Sequence, residues 1–201
     1  MFEDILAYLS SKQVQLIAVS KTHPDTAIMK LYQKNQRAFG ENKVQELVGK
    51  YERLPKNINW HFIGHLQRNK VKYIAPFIDT IHSIDSLKIL KEISKEALKN
   101  QRVIKCLIQV KIAKEDEKFG IAPLELTDFF QVVQNDKLEG IKIIGLMGMA
   151  TFTDDLDQIQ YEFPGHLSQW YQHDQHLLSV PDLFRLNNFA GVMFHHWQCP
   201  E

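Results

Sequence analysis

The stretch Leu16-Ile17-Ala18-Val19-Ser20-Lys21-Thr22-His23-Pro24 decides how the rest of the chain is read. Its apolar run, Leu16 to Val19, has the continuous character of a strand buried on both faces. Lys21 closes that run, a turn follows, and Pro24 opens the next helix. Its missing N–H costs little there, because the first donors of a helix have no intrahelical partner. A lysine at the carboxyl end of a strand, just ahead of a helix, stands where ligands bind in parallel α/β folds. An amine in that place can attack a carbonyl carbon and form a Schiff base. A surface lysine that merely ends a strand is the commoner meaning of such a residue.

The same unit recurs outward from this stretch. A short helix, Glu3 to Lys12, with Ile5, Leu6 and Leu9 on one face, precedes strand one, Gln15 to Lys21. Helix two runs from Pro24 to about Asn35, with Ile28, Leu31 and Tyr32 inward. Strand two, Arg37 to Phe39, ends in Gly40-Glu41-Asn42, and a helix from Lys43 to Leu54 is stopped by Pro55. Strand three is Trp60 to Ile63, followed by Gly64-His65 and a helix over Asn69 to Ile74. Strand four is Thr80 to Ile84; Asp85 or Ser86 caps a helix from Leu87 to Lys99 whose stripe is Leu87, Leu90, Ile93 and Leu98. Strand five is Val103 to Ile112, Pro123 opens a helix through Val133, and strand six is Ile141 to Met149. Regular strand–helix alternation without a linker implies a parallel sheet with right-handed crossovers. Six units of similar length favour a (β/α)8 TIM-type barrel in a single domain, 1–201. The strand tips, Lys21, Gly40-Glu41-Asn42, Gly64-His65, His82-Ser83, Lys111 and Met147-Gly148-Met149, gather at one rim.

Composition narrows the function classes. The chain has 201 residues, 44% hydrophobic and 24% charged, with Lys+Arg and Asp+Glu both at 24. That balance gives no basic surface for nucleic acid or membrane. Two cysteines make no disulfide framework, and Cys106 reads as a small buried side chain. Met1-Phe2-Glu3-Asp4 lacks the basic start and apolar stretch of a signal peptide, and no apolar run spans a bilayer, so a reducing cytoplasm is expected. There is no Gly-x-Gly-x-x-Gly, Walker-type loop or His-Glu-x-x-His. His61 and His65 straddle a strand end and a glycine, a poor arrangement for zinc; His61 reads as a satisfied, half-buried side chain. Asn42 reads either as a turn residue or as an amide reaching a ligand oxygen. Met147 reads as core filling beside Gly148, which marks a close backbone approach.

Several stretches carry a more specific signal. They are Val19-Ser20-Lys21-Thr22, Phe39-Gly40-Glu41-Asn42-Lys43-Val44-Gln45-Glu46 and Trp60-His61-Phe62-Ile63-Gly64-His65-Leu66-Gln67-Arg68-Asn69-Lys70, then Ile81-His82-Ser83-Ile84-Asp85, Lys118-Phe119-Gly120-Ile121 and Gly145-Leu146-Met147-Gly148-Met149-Ala150. Over residues 1–160 the chain resembles the YggS/PROSC family of pyridoxal-phosphate homeostasis proteins. The resemblance implies an α/β barrel of the alanine racemase N-terminal type. It also implies pyridoxal 5′-phosphate as cofactor, held as a Schiff base on Lys21, with Asn42, His65, His82 and Met147 around it. Members of that family are regarded as carriers or regulators of vitamin B6 and of amino and keto acids, without established turnover.

The last fifth of the chain departs from the family pattern. The Ser-Met-Gly-Met-Ser and Gly-Ser-Thr-x-x-Arg-x-Gly stretches, which supply the phosphate cradle and the arginine facing the pyridine nitrogen, are missing from it. Residues 151–201 contain one basic residue, Arg185, against seven acidic ones, and five of the nine histidines. Strands seven and eight are accordingly expected to be incomplete, with only Leu177 to Val180 and Gly191 to Phe194 as strand-like runs. The codons that encode His195 to Cys199, read two bases later, permit Ser-Leu-Ala-Met, close to the family stretch; a frame change somewhere after Glu162 is therefore expected to have produced the divergent tail, 164–201. Two other functions stay open on sequence: a racemase-type enzyme, which needs a second domain, and a barrel-derived interaction protein without cofactor.

Overall fold

The computed structural model describes residues 2–11, 14–112, 119–149 and 151. Within them the elements run α1 (Phe2–Ser11), β1 (Ala18–Val19), α2 (Asp25–Gln33), β2 (Ala38–Glu41), α3 (Val44–Arg53) and β3 (Asn59–Phe62). A 3-10 turn (Arg68–Lys70) leads into α4 (Val71–Ile74), then come β4 (Thr80–Ile84), α5 (Leu87–Lys99) and β5 (Ile104–Val110). A second 3-10 turn (Pro123–Glu125) precedes α6 (Leu126–Asp136) and β6 (Ile141–Gly148). The six strands form one sheet in sequence order, every neighbouring pair parallel. Sequential parallel order with a helix in each crossover is the arc of a TIM-type barrel. The two strand-like runs in the tail lie outside the described residues.

Register fixes what each face carries. Phe39 is paired with Trp60, Glu41 with Phe62, and Phe62 with Ile81. Glu41 meets Lys50 of α3, so this set faces the helices. Phe39 and Trp60 are both fully buried there, ring centroids 6.1 Å apart and tilted by 48°. Side chains alternate along a strand, so Gly40, His61 and His82 face the barrel interior. The helix layer is apolar where it meets the sheet: Leu47 on α3, Leu90, Ile93 and Ala97 on α5, and Leu126 and Phe129 on α6 are buried. Cys106 on β5 is buried in the same layer as Ile81, and burial pushes its thiol up to about 12.

Four local expectations are corrected. Strand one pairs only at Ala18 and Val19; Leu16 is held instead through its carbonyl by the Gln36 side chain, 2.9 Å, because no second ladder reaches it among the described residues. Pro24 is the residue before α2 rather than its first, with extended backbone angles, which a residue outside the helix adopts. Ser86 precedes α5, but its hydroxyl bonds the Asp85 carboxylate at 3.2 Å and caps no backbone N–H. Leu98 is 52% exposed; Ile89, Leu90, Ile93 and Ala97 form the buried stripe, and Leu98, about 100° further round the helix than Ala97, points away from it.

The tips of β2, β3 and β4 are bound into one rim. The Ile63 N–H donates to the Glu41 carbonyl at 2.9 Å, and the Ser83 hydroxyl donates to the Gly64 carbonyl. Gly64 approaches Asn42 so closely that a Cβ there would sit 2.3 Å from the Asn42 carbonyl oxygen and 2.8 Å from its Cα. Both neighbours are backbone and cannot yield like a side-chain end. Gly64→Ala is expected to cost about 1–3 kcal/mol, the usual size of an overpacking penalty, read as a lower urea midpoint at unchanged m-value.

Candidate functional site

Lys21 follows Ser20, whose hydroxyl is turned to the helix layer and donates to Glu41 Oε1 at 2.5 Å. Lys21 itself stands in the turn that leaves the carboxyl end of β1. Its side chain is half-buried, and no hydrogen bond or ion pair holds its amine among the described residues. Lys21 and Thr22 are the central residues of a tight turn closed by the His23 N–H on the Ser20 carbonyl, 3.1 Å. Thr22 has φ +65°, the left-handed region, at the turn position that favours glycine or asparagine. A β-branched residue there is strained by roughly 1–3 kcal/mol.

Beneath this turn lies a buried ionic cluster. Lys50 Nζ uses all three of its donors, on the Ser20 carbonyl (2.7 Å), Glu41 Oε1 (2.8 Å) and Glu46 Oε1 (2.7 Å). The Lys50 and Glu41 side chains are 4% and 0% exposed. Glu46 Oε1 also accepts the Thr22 N–H at 2.8 Å. Burial raises the Glu41 carboxyl above its ordinary range against the opposing bonds from Lys50 and Ser20. Burial also pulls Glu46 upward, but the bonds from Lys50 and Thr22 outweigh it and leave that carboxyl lowered.

The five residues singled out from sequence fall at two depths. Lys21, Asn42 and His65 stand at the rim. Asn42 is partly exposed beside Gly64; His65 bonds Asp85 through Nδ1 at 3.1 Å and stacks on Phe119, centroids 4.0 Å apart. His82 and Met147 are buried. Met147 is opposite Gln109, whose amide donates to the Phe119 carbonyl at 2.8 Å. His82 Nε2 is 2.8 Å from His61 Nδ1. His61 is thus buried rather than half-buried, and satisfied at one nitrogen alone, since its Nε2 has no partner among the described residues. Sequence reasoning missed Ser20, Glu46, Lys50 and the role of Glu41. The visible trace of the cluster was the helical spacing Glu46…Lys50, four residues apart. Among the described residues there is no group of three or more metal-ligating side chains, and no helix is long and apolar enough to cross a membrane.

Comparison with known proteins gives this geometry a family. The sequence pattern of the alanine racemase N-terminal domain matches residues 3–199. The chain belongs to the alanine racemase N-terminal domain family. Within that family it is similar to a pyridoxal phosphate homeostasis protein of Pasteurella multocida, 40% identical over 172 residues, 84% of this chain and 72% of that protein. A protein of the same name from Aquifex aeolicus is 37% identical over 150 residues, 74% of this chain but 65% of the relative. Among solved structures, PipY of Synechococcus elongatus with PLP bound superposes at a TM-score of 0.71 with 34% identity, covering 84% of this chain and 79% of PipY.

The two interior histidines set the behaviour of the barrel in acid. Burial lowers His61 to about 4, and burial together with the charge of a protonated His61 lowers His82 to about 3. Both are therefore neutral in the folded protein at pH 7. The unfolded chain takes up these protons near pH 6.5 and the folded chain does not, so stability is full above about pH 6.5 and falls as pH drops toward 4. Urea unfolding at pH 7.5 and pH 5 is expected to show this loss, and His82→Phe is expected to make the dependence shallower.

Proposed function

We propose that the chain binds pyridoxal 5′-phosphate through Lys21 and serves the homeostasis of vitamin B6 and of amino and keto acids. The observation that carries this reading is the Lys21 amine at the strand-tip rim, without a hydrogen bond or ion pair among the described residues, beside a buried lysine, Lys50, whose three donors are all spent on the Ser20 carbonyl and two carboxylates. The named relatives and the PLP-bound PipY support it. Bound pyridoxal phosphate supplies an aldehyde on an electron-withdrawing ring. The Lys21 nitrogen adds to that carbon and water leaves, which requires the amine in its neutral form. In this reading Asn42 and His65, at the next two strand tips, contribute to the rim, and His82 and Met147 to the buried layer beneath. Cytoplasmic location follows the same reading and accords with a free thiol, Cys106.

The residues present fit the aldehyde better than the phosphate. All four described arginines are engaged elsewhere: Arg37 with the Tyr32 carbonyl, Arg53 with Asp25, Arg68 with Glu92 and Arg102 with the Ala75 carbonyl. None remains for the phosphate at the rim among the described residues. Backbone N–H groups and hydroxyls at the strand tips are the donors left to it.

Incubation with pyridoxal phosphate followed by borohydride is expected to place the label on Lys21, located by peptide mass mapping. Lys21→Ala is expected to abolish it, and label persisting in that variant would overturn the assignment. Retention is expected to be weak, because each missing charge-assisted hydrogen bond is worth about 1.5–3 kcal/mol. Stoichiometric cofactor after prolonged dialysis would contradict the expected weakness of the phosphate contacts.

A further inference from the structure

We propose that Glu46 and Lys50 are positioning residues for Lys21: they hold the strained turn that presents its amine, although neither touches that amine. The proposal rests on the reading of Lys21 as the cofactor lysine and adds the device that aims it.

The contacts bracket Lys21 on both sides. Before it, the Ser20 carbonyl that closes the turn is gripped by Lys50 at 2.7 Å. After it, the Thr22 N–H is gripped by Glu46 at 2.8 Å. Glu46 and Lys50 are themselves joined at 2.7 Å, one helical turn apart on α3, and Lys50 is anchored on Glu41 of β2. The two peptide units flanking Lys21 are therefore tied to one rigid helix through charged groups. Burial makes the anchor stiff: Lys50 has no spare donor and is 4% exposed.

The conformation at Thr22 shows that the clamp has work to do. Threonine at φ +65° would leave the left-handed region if released, because its branched Cβ is crowded there. Relaxation at Thr22 rotates the peptide that follows Lys21 and re-aims the Lys21 side chain. Strain kept at a residue beside a reactive amine, and opposed by a specific hydrogen bond, is the pattern of pre-organisation. Sub-ångström placement matters when an amine must meet a carbonyl carbon at bonding approach.

The test compares wild type, Glu46→Ala, Glu46→Gln and the double variant Glu46→Ala/Thr22→Gly. On protein without cofactor, hydrogen exchange at the Thr22 amide and acetylation of Lys21 by acetic anhydride are followed by mass spectrometry. With pyridoxal phosphate, the near-visible absorbance of the Lys21 adduct is followed against cofactor concentration. In Glu46→Ala the Thr22 amide is expected to exchange about ten- to a hundredfold faster, the size expected for losing a hydrogen bond to a charged acceptor. The plateau rate of adduct formation is expected to fall about tenfold with the half-saturating concentration unchanged. Glu46→Gln keeps an oxygen acceptor for Thr22 and is expected to restore most of both. Glycine accepts the left-handed turn without strain, so the double variant is expected to regain the rate without the clamp. A general loss of packing would not be rescued by Thr22→Gly. Wild-type exchange at Thr22, or a wild-type plateau rate, in folded Glu46→Ala overturns the proposal. If wild type itself forms no adduct on Lys21, the cofactor reading fails, while exchange at Thr22 and acetylation of Lys21 still decide whether the clamp governs the amine.

Discussion

A lysine ammonium taken out of water is the constraint around which the amino-terminal half of the sheet is arranged. Lys50 is 4% exposed, and it is tolerable there because three oxygens from three different segments meet its three donors. A buried charge that loses a partner costs about 3–5 kcal/mol, so β1, β2 and α3 are held at mutual distances set by these bonds and not by apolar packing alone. The consequence is local rigidity at the tip of β1, a strand with only two paired residues. The shortest strand of the sheet is thus followed by a turn whose flanking peptide units are both held, at the Ser20 carbonyl and at the Thr22 N–H.

The interior of the barrel follows a different rule. On the helix face, polar groups other than the Glu41 cluster are few and the packing of Phe39, Trp60 and Ile81 dominates. On the inner face two imidazoles meet directly, each kept neutral by burial, with His61 Nε2 unpartnered among the described residues. Neutral histidines supply one donor and one acceptor each, which makes this layer a polar floor with no fixed charge. Above it the rim is tied by backbone contacts, notably Gly64 against Asn42, so the rim groups stand on a frame that does not depend on their own side chains.

Most of the architecture could be read from the chain because its signals are local. Apolar runs and amphipathic helices placed all six strands, and Pro55 located the end of α3; Gly40, read as the turn after strand two, instead lies inside β2, where it pairs with His61. Two of the errors came from weighing apolar character alone. Leu98 matched helical spacing closely enough to be counted into the buried stripe, although Ala97, a residue with little hydrophobic weight, occupies that position. Gln15 to Ile17 looked like strand because apolar character is visible in sequence and the presence of a ladder partner is not. At the site, Lys21, Asn42 and His65 were legible as strand-tip residues, and each stands at the rim. The cluster below them was not, because Ser20, Glu41 and Lys50 come from three elements and meet only through register. Nothing local marks Thr22 as left-handed, since threonine is a poor choice for that conformation and gives no glycine-like signature.

Cys106 adds a property of a different sort. Its thiol sits in the middle of the sheet, wholly enclosed, and burial holds it in the unreactive protonated form up to about pH 12. Disulfide exchange and alkylation need a thiolate with room for the incoming reagent. The sulfur can meet neither condition while β4, β5 and β6 remain together. Its rate of modification therefore counts the moments at which the central sheet parts, giving the barrel an internal clock for opening that no rim motion would disturb.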